Sequence, residues 1–281
     1  MDFCCSSSVS NFKDKFQKRF NLPEWHFLKS IFSDAIFFGM YNPVDYCRFM
    51  WHRGQKTIFW CGGDILNLQR RKWWQWVLRQ FKTRHICENE LEYWRLLFMG
   101  IKSEIQPCLI DRLDNIEISY KHSDKPNVYV CGHQGREEEY GINLVEEIAD
   151  LTPDITYHIY GVTKEMWFYT GYLGASIDGQ MMNVSRPINV IYHGKVSNEQ
   201  FTEEIKNYQA GLRLNEFEGF SEVIAKSILM GQYPISRIKY PFIDYFKDKI
   251  ELISLLNNLK NKKLPNIAGR NYWFQELNKE I

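Results

Sequence analysis

Short apolar runs alternate with segments of helical apolar spacing along most of the chain, and this alternation constrains the fold more than any other feature. It predicts parallel β-sheets covered by helices on both faces, because parallel strands need a crossover connection. In the first half, a polar and aromatic lead-in runs to about Lys29, and predicted helices follow over Val44–His52, Asp64–Phe81 and Glu90–Met99. The predicted strands of this half are Ala35–Phe38, Thr57–Trp60, Arg84–Cys87 and Ile105–Ile110.

The second half repeats the alternation after a polar segment, residues 111–126, whose composition is typical of a linker. We therefore predict two domains, residues 1–120 and residues 121–281, with a last helix over Arg270–Ile281 that could pack back on the first domain. The other predicted elements are strands Val128–Cys131, Ile155–Tyr160, Asn189–Gly194, Ala210–Leu214 and Tyr233–Ser236, and helices Gly141–Leu151 and Asn198–Tyr208.

The composition is typical of a packed globular protein, with 281 residues, 44% hydrophobic residues and a net charge of +1. The small net charge gives no bulk argument for nucleic-acid binding. Because the seven cysteines form no C-x-x-C pair and no histidine spacing matches a metal motif, we expect no metal and no cofactor. The sequence shows no signal peptide and no long apolar run, so we expect a cytoplasmic protein. Peripheral contact with a membrane stays an open alternative.

Residues that carry chemistry concentrate in the segment Glu216–Ile235. Acidic residues and Gly219 open a predicted helix with an apolar face, which ends at Gly231. A glycine at a helix N-terminus leaves backbone N–H groups free to face an anion, and the helix dipole attracts phosphate. The carboxylates could bind sugar hydroxyls, although an ordinary helix start in an α/β protein shows the same residues.

Glu218, Gly219, Phe220 and Gly231 resemble the donor-binding signature of retaining GT-B glycosyltransferases of the family 4 type. The resemblance extends over most of residues 127–236, and more thinly to the first half, where Trp60–Asp64 looks like a W-x-G-x-D loop. It implies an α/β fold of two Rossmann-like domains with a central cleft, the first one trimmed. The implied activity moves a hexosyl or related sugar from a nucleotide-sugar to a hydroxyl of a glycan, a lipid-linked glycan or another acceptor. Retention of configuration and independence of metal are also implied.

The resemblance assigns catalysis to Asp64 and Glu218, with the donor bound by residues of the second half. The position of the signature's second glutamate, which holds the ribose of the donor in the family, is occupied here by Lys226. Glu222, one turn earlier, could substitute for it. The predicted donor-binding residues are His133, Arg136, Tyr140, Arg213, Glu216, Gly219, Phe220, Ser221, Glu222 and Lys226.

Each charged candidate also has a structural interpretation. Arg136 could neutralise the leaving diphosphate or pair with the run Glu137–Glu139, and Arg213 could bind a phosphate or pair with Glu216 or Glu218.

Two further candidates have the same ambiguity. Asp64 could bind sugar hydroxyls or serve as a helix N-cap. Lys226 could contact an anionic part of the donor or pair with Glu222.

The segment Arg70–Arg84 combines cations with Trp73, Trp74 and Trp76, and no acidic residue lies between Asp64 and Glu88. Basic and aromatic residues together could contact an anionic membrane surface or nucleic acid. They also fit a half-buried helix whose tryptophans face the core. Two other functions therefore stay open, a non-catalytic binding protein on a GT-B scaffold and a glycosyltransferase that modifies nucleic acid.

Overall fold

A computed structural model describes residues 1–109, 116–163 and 188–279. The chain divides into two compact units. Unit 1 comprises Met1–Asn115, Phe217–Glu222 and Phe274–Ile281, and unit 2 comprises Ile116–Glu216 and Val223–Trp273. Each unit is built on its own parallel sheet, which confirms the predicted α/β class with two Rossmann-like domains.

The sheet of unit 1 has five parallel strands in the order β1-β2-β3-β4-β5. None of the helices in the part of the chain described here is long and apolar enough to cross a bilayer. The strands are β1 (Asp2–Cys5), β2 (Ala35–Phe38), β3 (Lys56–Phe59), β4 (Thr83–Cys87) and β5 (Glu104–Ile105), and the helices are α1 (Lys13–Phe20), α2 (Pro43–Trp51), α3 (Gly63–Gln69), α4 (Lys72–Gln80) and α5 (Glu90–Phe98).

Both faces of this sheet are buried, which explains why β2 is continuously apolar. Ile36 and Phe38 point to one face, where they pack with Phe16 of α1. Ala35 and Phe37 point to the other face, where Phe37 meets Phe49 of α2 at a ring separation of 5.5 Å. The helices α1 and α2 therefore cover opposite faces of the sheet.

Three predictions for the first half were wrong in detail. The lead-in up to Lys29 contains both β1 and α1, because Phe3 pairs beside β2 and is fully buried. The helix predicted to run to Phe81 is two helices, since Arg71 has a non-helical backbone with φ −119° and ψ 72°. The last predicted strand shrinks to Glu104–Ile105, and residues 110–115 lie outside the described residues.

The sheet of unit 2 has six parallel strands in the order β11-β10-β9-β6-β7-β8. Its strands are β6 (Asn127–Cys131), β7 (Thr156–Tyr160), β8 (Val190–Gly194), β9 (Ala210–Arg213), β10 (Ile235–Ser236) and β11 (Asp244–Tyr245), and its helices are α6 (Ile142–Ala149), α7 (Asn198–Ile205) and α9 (Lys249–Asn258). Helices α8 (Glu222–Leu229) and α10 (Ile267–Leu277) lie mostly in unit 2, while their residues Glu222 and Phe274–Leu277 belong to unit 1.

The strand order of unit 2 reverses direction between β6 and β9. From β6 the chain adds β7 and β8 on one side, and then returns to place β9, β10 and β11 on the other side. Crossover connections leave such a reversal point on opposite faces, so a crevice opens at the carboxyl ends of the two central strands. Topology alone therefore marks the ends of β6 and β9 as the place for a ligand.

Candidate functional site

Three predicted donor-binding residues meet at the reversal point of unit 2. Arg213 ends β9, and Tyr140 lies just before α6 in the connection that leaves β6. The Arg213 guanidinium lies 4.9 Å from the centre of the Tyr140 ring, and the Arg136 guanidinium lies 5.6 Å from it. Arg213 Nη1 also donates to the carbonyl oxygen of Cys131, at the end of β6, over 3.3 Å. Two cations and an aromatic ring therefore gather where a parallel sheet binds its ligand.

Gly141 explains how Tyr140 comes so close to β9. It has a positive φ of 72°, and a Cβ atom there would lie 2.5 Å from Cβ of Leu214. Only a glycine allows this approach of α6 to the end of β9. The sequence pair Tyr140-Gly141 thus sets the position of the ring beside Arg213.

The other charged candidates of unit 2 already have partners within it. Arg136 forms a two-pronged ion pair with Glu139, as its structural interpretation predicted. Glu216 pairs with Arg237 over 3.0 Å. His133 is exposed, and its Nδ1 lies 2.8 Å from the carbonyl oxygen of Gln134. Their contacts with a donor stay predictions.

Residues Phe217–Glu222, which we call the glycine loop, belong to unit 1. Helix α8 begins only at Glu222, so the prediction that Gly219 opens a helix was wrong. The loop is held by side chains that follow β4. Asn89 Nδ2 donates to the carbonyl oxygen of Glu218 over 2.7 Å, and Glu88 Oε2 accepts from the backbone N–H of Phe220 over 3.0 Å.

Steric fit fixes the glycine loop further. A Cβ atom on Gly219 would lie 1.9 Å from Glu88 Oε2, and one on Gly62 would lie 2.8 Å from the backbone nitrogen of Gly219. Phe217 packs against the core of unit 1, with the Arg95 guanidinium 4.3 Å from its ring centre. The glycine loop, which carries Glu218, is therefore packed so closely that a side chain at Gly219 would not fit.

Beneath the glycine loop lies a buried acid cluster formed by Asp64, Glu88 and Glu92. Burial raises the pKa of Asp64 to about 6 and the pKa of Glu88 to about 8. Burial and the nearby charge of Glu88 raise the pKa of Glu92 well above its usual range. Glu92 Oε2 accepts from the backbone N–H of Glu88 over 2.7 Å, whereas Glu92 Oε1 is buried without a hydrogen-bond partner in the described part of the chain.

The acid cluster makes the stability of the protein depend on pH. An unfolded chain releases these protons near the ordinary values of 3.8 and 4.5, whereas the folded state keeps them up to about 6 for Asp64 and about 8 for Glu88. The folded state thus binds more protons in this range, and each excess proton costs about 1.4 kcal/mol of stability per pH unit as the pH rises. We expect the melting temperature to fall between about pH 5 and about pH 8.

A neutral side chain in the cluster provides the control. Glu92→Gln removes one of the three raised carboxyls and should make the pH dependence of the melting temperature less steep, whereas Glu104→Gln, at an exposed ion pair with Arg84, should leave it as in the unmodified protein. A melting temperature that rises with pH over this range would contradict the assigned pKa directions.

Asp64 is enclosed by backbone amides. Its Oδ2 accepts from Met40 N–H over 3.0 Å, and its Oδ1 accepts from Cys61 and Ile65 over 3.1 and 2.9 Å. The N-cap residue of α3 is Gly62, so the N-cap interpretation of Asp64 was wrong. Asp64 instead ties the loops after β2 and β3 together, and its catalytic role stays a prediction.

We expect Asp64→Asn to destabilise the protein by about 1–3 kcal/mol. In the variant, one carboxylate oxygen is replaced by an NH₂ group, so at least one buried backbone N–H that donates to Asp64 loses its acceptor. Chemical denaturation measures this loss. Asp248→Asn is the matched control: Asp248 caps α9 by accepting from Ile250 and Glu251, a role that asparagine fills equally well. Equal stability of the two variants would show that the amide contacts of Asp64 contribute little.

Lys226 is buried, with 2% of its surface exposed, and its ammonium group faces α7. Nζ donates to Asn198 Oδ1 over 3.0 Å and lies 5.7 Å from the ring centre of Phe201. The residue at the signature's second glutamate position therefore makes packing and hydrogen-bond contacts inside unit 2. Its contact with an anionic donor stays a prediction.

Lys226→Glu should destabilise the protein by about 1–3 kcal/mol, because a buried carboxylate would face an amide oxygen in place of an ammonium donor. Lys226→Gln retains an N–H donor and should lose less. Denaturation curves of both variants decide this. A Lys226→Glu variant of unchanged stability would mean that the contact with Asn198 is dispensable.

Phe220, Ser221 and Glu222 complete the glycine loop within unit 1, with Phe220 and Ser221 buried. Glu88 and Asn89, which hold the glycine loop, and Glu92, which bonds Glu88, were not among the predicted site residues, although they come at or just after the end of a predicted strand. The carboxyl end of a parallel strand is where functional side chains concentrate, and this signal was present in the sequence.

In residues 1–109, 116–163 and 188–279, no three His, Cys, Asp or Glu side chains are arranged to hold a metal ion.

No protein-family model and no curated protein sequence matches the chain. Solved structures are similar to it. With sucrose-phosphate synthase from Thermosynechococcus elongatus the TM-score is 0.62 at 12% identity, over 96% of this chain and 72% of the synthase. With the lipopolysaccharide outer core galactosyltransferase WaaB the TM-score is 0.60 at 14% identity, and the match covers 97% of this chain and 80% of WaaB.

A third similar structure is the pneumococcal O-GlcNAc transferase GtfA in complex with UDP and GlcNAc, with a TM-score of 0.54 at 12% identity. The match covers 88% of this chain but 54% of GtfA, so the chain spans about half the length of that protein. At such identities the likeness concerns the fold, and it confirms the GT-B fold. The assignment to the family 4 type stays a prediction.

Proposed function

We propose that the protein transfers a sugar from a nucleotide-sugar to a hydroxyl acceptor, with retention of configuration and without a resident metal. The observation that carries this proposal is the position of Arg213 and Tyr140 at the reversal point of unit 2, on a GT-B fold. A guanidinium offers a fork of N–H donors that suits a diphosphate. The N-terminus of α6, just after Tyr140, adds the positive end of a helix dipole.

In this proposal, unit 2 binds the donor and the diphosphate lies against Arg213. The bond between the sugar's anomeric carbon and the diphosphate oxygen breaks first, and both electrons leave with the diphosphate. The acceptor oxygen then bonds to the anomeric carbon on the same face, and its proton passes to the departing diphosphate. Arg213 and the dipole of α6 would stabilise the charge of the leaving group, a task that a metal performs in other enzymes.

The acceptor in this proposal is a glycan or a lipid-linked glycan, bound by unit 1. Glu218 is the residue that we assign to the transferred sugar, because Glu88 and Asn89 fix the backbone on both sides of it. A side chain on a rigid loop is held close to one geometry, which favours catalysis over loose binding. Retention and the hexosyl nature of the sugar rest on the resemblance of the signature segment.

A second candidate function is donor binding without transfer. Lys226 favours it, since the signature position that carries a glutamate in the resembling enzymes holds here a lysine buried against α7. Such a protein would use the same reversal point for a nucleotide-sugar and would release it unchanged.

Nucleotide binding and turnover separate the candidates. The protein is mixed with UDP, UDP-glucose, UDP-GlcNAc and the purine donor GDP-mannose, and both the melting temperature and the release of nucleoside diphosphate are measured. We expect a rise in melting temperature and release of UDP. Arg213→Gln should lose both, whereas Arg84→Gln, on an exposed pair in unit 1, should lose neither. Binding without release supports the binding protein. Absence of binding across purine and pyrimidine nucleotide-sugars would overturn both candidates.

A further inference from the structure

Two tryptophans of α4 face outward. Trp73 is 57% exposed and Trp76 is 53% exposed, while Val77 and Leu78 of the same helix are buried in unit 1. The interpretation that the tryptophans of this segment face the core was therefore wrong for these two. It was right for Trp74, which stacks on Tyr46 with ring centres 4.4 Å apart. We call the surface formed by Lys72, Trp73, Trp76 and Arg79 the tryptophan face.

The exposed indole of Trp73 is held by a neighbouring ring. Trp73 meets the ring of Trp74 edge-on at 4.5 Å, and Trp74 is anchored by Tyr46. Burying such large apolar surfaces in water-free surroundings is favourable by about 25 cal/mol per Å². Binding of a partner that covers Trp73 and Trp76 is therefore favourable, and an exposed apolar patch of this kind is typical of an interaction site.

The charges around the tryptophan face have one sign. Lys72 and Arg79 are exposed on α4, and Arg70, Lys82 and Arg84 are exposed on its flanks. The sequence has no acidic residue between Asp64 and Glu88. Within residues 1–109, 116–163 and 188–279, Arg84 is the one member of this group that forms an ion pair, with Glu104 of β5. An anionic partner would therefore meet mostly uncompensated cations.

We propose that the tryptophan face docks the protein on an anionic lipid surface. Tryptophans flanked by lysine and arginine are the side chains that settle at the boundary between headgroups and acyl chains. Both exposed indoles belong to one nine-residue helix, α4. Nucleic acid bound without sequence preference needs instead a groove that follows the backbone, with bases stacked along it. A short helix with two exposed indoles among cations therefore favours a membrane, and this inference does not depend on sugar transfer.

Co-sedimentation of the full chain with lipid vesicles tests the proposal. Vesicles of phosphatidylcholine alone are compared with equimolar phosphatidylcholine and phosphatidylglycerol. We expect sedimentation with the mixed vesicles and little with the zwitterionic ones. Trp73→Ala with Trp76→Ala should weaken binding about tenfold or more, and Lys72→Gln with Lys82→Gln by about the same factor, since each cation near an anionic surface contributes roughly fivefold.

Trp94→Ala is the matched control, because Trp94 is 52% exposed on α5 but lies outside the tryptophan face. It should sediment as the unmodified protein does, and circular dichroism should show that all variants are folded. Equal sedimentation of the unmodified protein and the Trp73/Trp76 variant would overturn the proposal. Binding to labelled single-stranded RNA but not to the mixed vesicles would overturn it in favour of nucleic acid.

Discussion

Replacing Gly219 by alanine should abolish sugar transfer and loosen unit 1. The new Cβ would lie 1.9 Å from Glu88 Oε2, a distance that atoms do not tolerate, so either the glycine loop or the Glu88 side chain must move. In the proposed function the glycine loop carries the catalytic Glu218, and displacing such a loop by about 1 Å costs roughly a hundredfold in rate. Strain of this kind in a packed region destabilises a protein by about 1–3 kcal/mol. Steady-state turnover and chemical denaturation measure the two effects.

Gly63→Ala is the steric control for this experiment. A Cβ on Gly63 would lie 3.4 Å from the ring of Tyr41, which is ordinary van der Waals contact, so stability should change little. If Gly219→Ala were as stable as Gly63→Ala, the close approach of Gly219 to Glu88 would not exist in solution.

Replacing Glu218 by glutamine should also abolish transfer, but without loss of stability. Burial chiefly, and the Glu218 charge in addition, raise the pKa of Glu88 and of Glu92, so removing that charge makes ionisation of the acid cluster less costly as the pH rises. Asn89 bonds the backbone carbonyl oxygen of Glu218, and that contact survives the substitution. We expect turnover to fall by at least about a hundredfold and the melting temperature to stay equal or to rise.

The two readouts make this prediction specific. A melting temperature well below that of the unmodified protein would show that Glu218 has a structural role instead. Unchanged turnover at wild-type stability would remove Glu218 from the catalytic residues and leave the binding-protein candidate as the better one.

Elements with a strong local pattern could be predicted from the sequence. Strands such as Ala35–Phe38 are continuously apolar because both faces are buried, and the helices between them have clear apolar faces. The strand β1 escaped prediction because it begins with Asp2, whereas the equally short β2 is apolar throughout. The outward tryptophans had a partial signal in the sequence: Trp74, Val77 and Leu78 share one side of α4, which leaves Trp76 on the other side and Trp73 between the two.

Contacts between distant parts of the chain could not be predicted from the sequence. Glu88 and Phe220 are 132 residues apart, and no local pattern states that one accepts a hydrogen bond from the other. The same holds for Lys226, whose partner Asn198 lies on another helix. A charged residue in a sequence looks like a solvent-exposed or ligand-binding group, and only the fold shows that its partner is a buried amide.

The glycine loop has a consequence for how the protein is made. Unit 1 draws on three separate stretches of chain, and the glycine loop follows more than half of the sequence. During synthesis, Glu88 leaves the ribosome long before Phe220, whose N–H donates a hydrogen bond to it. The core of unit 1 also lacks Phe217 until the glycine loop has been synthesised. Unit 1 therefore begins to emerge first but cannot complete its fold until the later stretches of the chain have been synthesised. A fragment ending at Asn115 would lack part of its own interior, so separate expression of unit 1 requires grafting the glycine loop back onto it.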